Sequence, residues 1–86
     1  MRIVKITGNK STGKTEVLKA IAATHEGTVV DMNTLALALP LLSKKVSALN
    51  LNTFVDDVTP EDLPKIQKLS KLYPDNYRIY VAGVGL

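Results

Sequence analysis

The chain has 86 residues, of which 45% are apolar and 22% charged, and this balance predicts one small globular domain rather than a disordered segment. The net charge of +3 does not indicate nucleic-acid binding, because the lysines are scattered along the sequence. There is no cysteine, no apolar run of about 18 residues and no signal-peptide pattern, so we expect a cytoplasmic protein without disulfides, thiolate metal sites or a membrane span.

The first elements are a strand, a glycine-rich loop and a helix. Residues 2–7 are rich in β-branched side chains and predict the strand, while apolar residues at 17, 18, 21 and 22 have helical spacing. The loop between them fits the pattern G-x-x-x-x-G-K-[ST] at every fixed position, with the residues Gly8, Asn9, Lys10, Ser11, Thr12, Gly13, Lys14 and Thr15. Glycines at its two ends allow a turn that aims successive N–H groups inward, which predicts a phosphate-binding nest.

This loop resembles the Walker A motif of the P-loop NTPase superfamily. The resemblance implies that Lys14 reaches the β- and γ-phosphates of a nucleotide and that Thr15 offers its hydroxyl to Mg²⁺. The positive end of the following helix adds to the attraction for the phosphates. We therefore expect the whole segment, residues 8–15, to bind ATP together with Mg²⁺, with Lys14 also counted among the catalytic residues.

The first helix is expected to run from Lys14 to about His25, with Gly27 as the C′ residue that ends it. His25 is the only histidine, and we interpret it as a favourable charge at the end of a helix rather than a catalytic group. A short second strand then ends at Asp31. This carboxylate lies where ligands bind in open α/β sheets, and it either holds substrate or a metal-bound water or caps the next helix.

Residues 34–42 are rich in leucine and contain Pro40, and they predict a helix from about 33 to 48 that is broken at the proline. The leucines cover more than one helical face. The segment Leu35–Leu42 is therefore either buried in the core or forms a surface for self-association or for a protein partner.

A third strand is predicted over residues 50–57, and it ends in two carboxylates. It resembles the Walker B motif, in which the last residue of an apolar strand helps to hold Mg²⁺. The resemblance implies a metal role for Asp56 and a water-orienting, catalytic role for Asp57. One large branch of the superfamily has glutamate at the second position, so Asp57 is one methylene shorter than that family pattern.

The rest of the chain predicts a helix and a fourth strand. Thr59 is the expected N-cap and Pro60 the first helical residue, and residues 78–82 form the strand. The pattern βαβαβαβ predicts an α/β fold, a three-layer open parallel sheet of about four strands in one P-loop domain covering residues 1–86. Two strand orders, 2-3-1-4 and 1-4-3-2, are open. Lys5 in mid-strand favours the second, with the first strand at an edge that is open or covered by a second subunit.

Several expected parts of an efficient NTPase are missing from the sequence. No N-K-x-D guanine motif occurs, so ATP is the default nucleotide. Arg2 and Arg78 begin strands and are predicted to lie far from the γ-phosphate, which leaves Lys10 as the nearest spare cation. Residues 81–84 contain no polar side chain that could sense the γ-phosphate.

These observations predict Mg²⁺-dependent ATP binding with hydrolysis that is slow or depends on a partner. One alternative is a nucleotide-gated or non-catalytic interaction or inhibitor module, of the kind that phages encode. A second alternative is a small-molecule kinase in which Asp31 is the substrate base.

Overall fold

The computed structural model describes residues 1–6, 13–42, 44 and 49–86. Its four strands and three helices confirm the predicted small α/β fold with a parallel sheet. In chain order the elements are β1 (Arg2–Ile6), α1 (Lys14–Thr24), β2 (Val29–Asp31), α2 (Met32–Leu42), β3 (Asn52–Asp56), a 3₁₀ turn (Pro60–Asp62), α3 (Leu63–Ser70) and β4 (Arg78–Ala82). The predictions for residues 8–12, and for the helix beyond residue 44, fall outside the described residues.

The strands lie in the order β1-β4-β3-β2, and each pairs with its neighbours in parallel. This is the second of the two orders left open by the sequence, with β1 at an edge. The β1–β2 connection crosses the whole sheet, whereas the next two connections step back in the opposite direction. Since such crossovers are right-handed, the reversal of direction places α1 on one face and α2 and α3 on the other.

Two hydrophobic clusters lie on opposite faces of the sheet. The larger one, under α2 and α3, consists of Met1, Met32, Leu35, Leu42, Val55, Val58, Ile66, Leu69, Tyr73, Ile79 and Val81. The smaller one, under α1, consists of Leu18, Ala22, Phe54, Tyr80 and Ala82. Alternate residues of β4 belong to alternate clusters, so that strand is buried on both faces and has a continuous apolar sequence.

The end of α1 corrects the prediction that Gly27 is its C′ residue. The left-handed residue is Glu26, with a φ of 55°. Glu26 N donates to Ala23 O at 3.3 Å and Gly27 N donates to Ala22 O at 2.8 Å, which is the hydrogen-bond pattern of a Schellman motif. Glycine is needed at position 27 for another reason, because a Cβ there would lie 2.4 Å from the Phe54 ring.

The second helix also differs from its prediction, because α2 begins at Met32 and continues through Pro40 without a break there. Its sheet side is buried, but Leu37 is 83% exposed and Leu41 is 66% exposed. Core burial therefore holds for Leu35 and Leu42, while a surface for self-association or for a protein partner stays a prediction for the exposed leucines. Within the described part of the chain, no helix has the length and apolar character needed to cross a membrane.

The third helix begins as predicted. Thr59 precedes Pro60, and its N–H and hydroxyl donate to Asp62 Oδ2 at 3.0 Å and 2.9 Å. The first turn is 3₁₀, and α3 follows from Leu63. At the other end of α3 the α-ammonium of Met1 donates to Tyr73 O at 2.7 Å and to Ser70 O at 3.1 Å, so β1 is held against the end of this helix.

Candidate functional site

The candidate site lies at the carboxyl edge of the sheet, where all four parallel strands end. Asp31 ends β2 and Asp56 ends β3, and the two residues are register partners on neighbouring strands. Helix α1 begins at the same edge, because it follows the end of β1. The topology therefore places the start of α1 and the two strand-end carboxylates at the same edge of the sheet.

The closest link in this site joins the two predicted motifs. Thr15 Oγ1 donates to Asp56 Oδ2 at 3.0 Å, although the residues are 41 positions apart in the chain. Thr15 is placed there by the start of α1. Gly13 is the N-cap residue in the left-handed conformation, with φ 75° and ψ 23°, and its carbonyl accepts from Val17 N at 3.0 Å. Only glycine adopts this conformation without strain, which explains the glycine at this position.

The second oxygen of the Asp56 carboxylate is also held. Asp57 N donates to Asp56 Oδ1 at 2.8 Å. Asp57 has a φ of 58°, a left-handed conformation that is uncommon outside glycine, and its side chain is exposed. Each carboxylate oxygen of Asp56 thus has a donor, Thr15 on one side and the backbone of Asp57 on the other. The orientation of the carboxylate is fixed by these two bonds.

A close backbone contact supports the turn that contains Asp57. Val58 N donates to Ala82 O at 3.0 Å, so the chain after β3 folds over the end of β4. A Cβ on Gly83 would lie 1.8 Å from the carbonyl oxygen of Val58. Glycine at position 83 is therefore a condition for this turn. Sequence reasoning missed its role, and the one signal for it was a glycine directly after a buried strand.

The structure resolves the two interpretations of Asp31 in favour of a helix cap. Asp31 Oδ1 accepts from Thr34 N at 2.7 Å, at the start of α2. Hydrogen bonds from the side chain and the backbone N–H of Thr34 hold the pKa of this carboxyl below its ordinary value. Asp31 is the register partner of Asp56, but its side chain is hydrogen-bonded to the start of α2, the helix that follows it.

The described residues do not form a metal site by themselves, because no three of their carboxylate, histidine or cysteine side chains are grouped closely enough. The chain supplies the Thr15 hydroxyl and the Asp56 carboxylate. Mg²⁺ is usually bound by one or two carboxylates together with substrate phosphates and water, so these two residues fit an Mg²⁺ ion that arrives with a nucleotide.

The other predicted site residues are distributed as follows. Lys14 is the first residue of α1 and is half-buried, next to Thr15. Arg2 and Arg78 are register partners at the amino edge, opposite the site, as expected. His25 lies beyond the end of α1, where its ring stacks at 6.1 Å from the rings of Phe54 and Tyr80. Gly8, Asn9, Lys10, Ser11 and Thr12 lie outside the described residues.

Comparisons with known proteins add no relatives. No protein-family model matches the chain, and no match was found among curated proteins or solved structures.

Proposed function

We propose that this protein binds ATP with Mg²⁺ at the carboxyl edge of its sheet, in the manner of the P-loop NTPases that its sequence resembles. The observation that carries the proposal is the 3.0 Å hydrogen bond from Thr15 Oγ1 to Asp56 Oδ2. It joins the last residue of the Walker A pattern to the predicted Walker B carboxylate, two groups that were assigned to the same Mg²⁺ ion from separate stretches of sequence. Such a meeting is not required by either stretch alone.

Each residue has a distinct part in binding. The ammonium of Lys14 would neutralise charge on the β- and γ-phosphates, together with the N–H groups at the start of α1. The hydroxyl of Thr15 would bind Mg²⁺ through an oxygen lone pair and keep its proton directed at Asp56. Asp56, fixed by Thr15 and by Asp57 N, would hold the ion directly or through water. Mg²⁺ would supply further neutralisation of the phosphate oxygens.

We propose that hydrolysis is slow or depends on a partner. Transfer of a phosphoryl group depends on positioning and on charge stabilisation, and an arginine supplied to the γ-phosphate is worth about 10³–10⁵ in rate. Both arginines of this chain begin strands at the opposite edge of the sheet. Residues Ala82 and Gly83, at the end of the strand beside β1, are buried and bring no polar side chain to the site. The activity would be that of a weak hydrolase.

The binding proposal is tested by thermal unfolding with and without Mg·ATP. At a hundredfold excess of ligand over its Kd, the wild type should gain about 2.7 kcal/mol of stability. Lys14→Ala should lose this gain, whereas Lys19→Ala, an exposed lysine on the same helix, should keep it. Asp56→Asn should remove the part of the gain that requires Mg²⁺. An equal gain in the wild type and in Lys14→Ala would refute the assignment.

Hydrolysis is measured separately as phosphate release at several protein concentrations. We expect the isolated chain to turn over well below about 1 s⁻¹, the lower range for enzymes. A higher rate per molecule that does not change on dilution would show that the chain holds a complete catalytic site. A rate per molecule that rises with protein concentration would indicate that a second copy supplies a cation. Lys10 is the nearest candidate for this cation in the sequence.

A non-catalytic, nucleotide-gated interaction module remains the second candidate, and the exposure of Leu37 and Leu41 favours it. It is distinguished by saturable Mg·ATP binding without any phosphate release above background.

A further inference from the structure

An apolar groove runs between α2 and α3, on the face of the sheet opposite α1. It has a volume of about 210 Å³ and is lined by Leu39, Leu69, Leu72, Lys65 and Lys68. Leu72 is 44% exposed at its end. None of these residues belongs to the candidate nucleotide site, and the proposed function does not use the groove.

The outer side of α2 is also apolar, on the side of the helix away from Leu39 and the groove. The 11 residues of α2 include no charged side chain. Leu37 and Leu41 are four positions apart, so they lie on one side of the helix, and they are 83% and 66% exposed. The core does not require them, because other residues of α2 cover the sheet. Leu37 and Leu41 lie about 160° around the helix from Leu39, so the groove and these leucines are separate apolar surfaces.

The charges around the groove indicate the charge of a partner that would bind there. Both charged side chains in its lining are lysines, Lys65 and Lys68. Lys44 and Lys71, which follow the ends of α2 and α3, are exposed as well. Asp62, whose carboxylate accepts two hydrogen bonds from Thr59, also interacts with Lys65 and offsets part of its charge, which leaves Lys68 as the less compensated lysine of the lining. A second copy of this face would bring lysines against lysines, and like charges across an interface are unfavourable.

We propose that the α2–α3 groove binds an amphipathic helix of a partner protein, with apolar side chains on one face and carboxylates beside them. The apolar side chains would contact Leu39, Leu69 and Leu72, and the carboxylates would pair with Lys65 and Lys68. The lining residues that lie within α3, from Lys65 to Leu69, span about 6 Å at 1.5 Å per helical residue, which matches roughly one turn of the partner helix. This is the helix-in-groove mode of peptide recognition.

The test uses the full chain and two synthetic helical peptides that share the same leucine face. One peptide carries glutamates beside the leucines and the other carries lysines. Fluorescence anisotropy should give saturable binding of the acidic peptide, at least about tenfold tighter than that of the basic peptide and weaker at high salt. The methyl NMR signals of Leu39, Leu69 and Leu72 should shift on its addition. Equal binding of the two peptides, or no saturation by about 1 mM, would overturn the proposal.

Two variants, each with a control, test the charged and the apolar contacts separately. The double change Lys65→Glu and Lys68→Glu should reverse the preference between the peptides, whereas Lys19→Glu on α1 should leave it unchanged. Leu72→Asn, at an exposed leucine of the groove, should weaken binding of the acidic peptide, and Val17→Asn, an exposed apolar residue on the opposite face, should not. Circular dichroism checks that each variant is folded, and the comparison of the two peptides on the wild type does not depend on any variant.

Sedimentation velocity over a dilution series tests whether a second copy of this chain occupies the groove. We expect a monomer at all concentrations. A dimer that Leu72→Asn abolishes would assign the groove to self-association and overturn the proposal.

Discussion

Two turns at opposite edges of the sheet each place a non-glycine residue in the left-handed conformation. At the amino edge, Glu26 has a φ of 55° in the turn between α1 and β2, and at the carboxyl edge Asp57 has a φ of 58° in the turn after β3. In each case the left-handed residue lies beside a position where the structure requires a glycine. A Cβ at position 27 would meet the Phe54 ring, and a Cβ at position 83 would meet the backbone of Val58.

The turns differ in what the left-handed residue accomplishes. The N–H of Glu26 closes the end of a helix by donating to Ala23 O. The N–H of Asp57 donates to the Asp56 carboxylate, which is the proposed Mg²⁺ group. Similar backbone geometry thus completes packing at one edge and orients a candidate ligand at the other. Backbone strain by itself does not identify a functional site, and the acceptor of the N–H distinguishes the two cases.

The largest effect is expected for Gly83→Ala. The new Cβ would lie 1.8 Å from Val58 O, so the backbone itself must move. Displacing buried backbone costs about 3 kcal/mol or more, at the upper end of overpacking. Urea unfolding measures this loss. We also expect the Mg²⁺-dependent part of ATP binding to fall, because the turn that orients Asp56 is displaced. A variant of wild-type stability would contradict the role assigned to Gly83.

Gly27→Ala should have a smaller effect, confined to stability. Its Cβ would meet a ring carbon of Phe54 at 2.4 Å, and that ring is 1% exposed in the smaller core. Side-chain repacking of this kind costs about 1–3 kcal/mol. The gain in stability from Mg·ATP should equal that of the wild type, since the turn lies at the other edge. If Mg·ATP stabilised Gly27→Ala less than it stabilises the wild type, the two edges of the sheet would be coupled.

These two glycines show where sequence reasoning succeeds and where it stops. The spacing of the apolar residues predicted the parallel α/β sheet, and Lys5 in mid-strand favoured the strand order that places β1 at an edge. Those features follow from local pattern and from the rules of chain connection. The role of Gly83 depends on a residue 25 positions away, since it is set by the path of the backbone at Val58. No local pattern encodes such an approach.

The error at the end of α1 has the same origin. A glycine after a helix normally indicates the left-handed residue, and this rule selected Gly27. The ring of Phe54, which lies in another strand, requires glycine at position 27 and leaves the left-handed conformation to Glu26. Asp31 illustrates a different limit, because an aspartate at a strand end is suited both to a ligand and to a helix cap, and only its contact with Thr34 decides between them.

Glycine substitutions at the two left-handed residues compare the turns directly. A left-handed non-glycine residue costs about 1–2 kcal/mol, and glycine loses about 0.5–1 kcal/mol through the entropy of the unfolded chain. Both Glu26→Gly and Asp57→Gly should therefore stabilise the fold by about 0.5–1 kcal/mol in urea unfolding. The gain should be smaller for Asp57, because aspartate tolerates this conformation better than glutamate does.

Asp57→Gly also separates the two possible roles of that residue. It keeps the N–H that donates to Asp56 and removes the carboxylate that was expected to orient water. If Asp57 acts through its backbone, ATP binding and the slow phosphate release should both be unchanged. A clear loss of phosphate release with intact binding would assign the side chain a catalytic role, and Glu26→Gly is the matched control for any effect of stability.

The smallest effect concerns the pH dependence of the turn after β3. Hydrogen bonds from the backbone N–H and the side chain of Thr59 hold the pKa of Asp62 below its ordinary value, with a smaller contribution from Lys65. Because the folded-state pKa is lowered, these bonds stabilise the fold fully above the unfolded-state pKa, and that contribution is lost as the pH falls through the folded-state value. Asp62→Asn should therefore reduce the decline in stability between about pH 5 and pH 2. Asp75→Asn, an exposed aspartate in the turn before β4, is the control. Acid-unfolding curves of Asp62→Asn and the wild type that run parallel over this range would contradict the proposed stabilisation by Thr59.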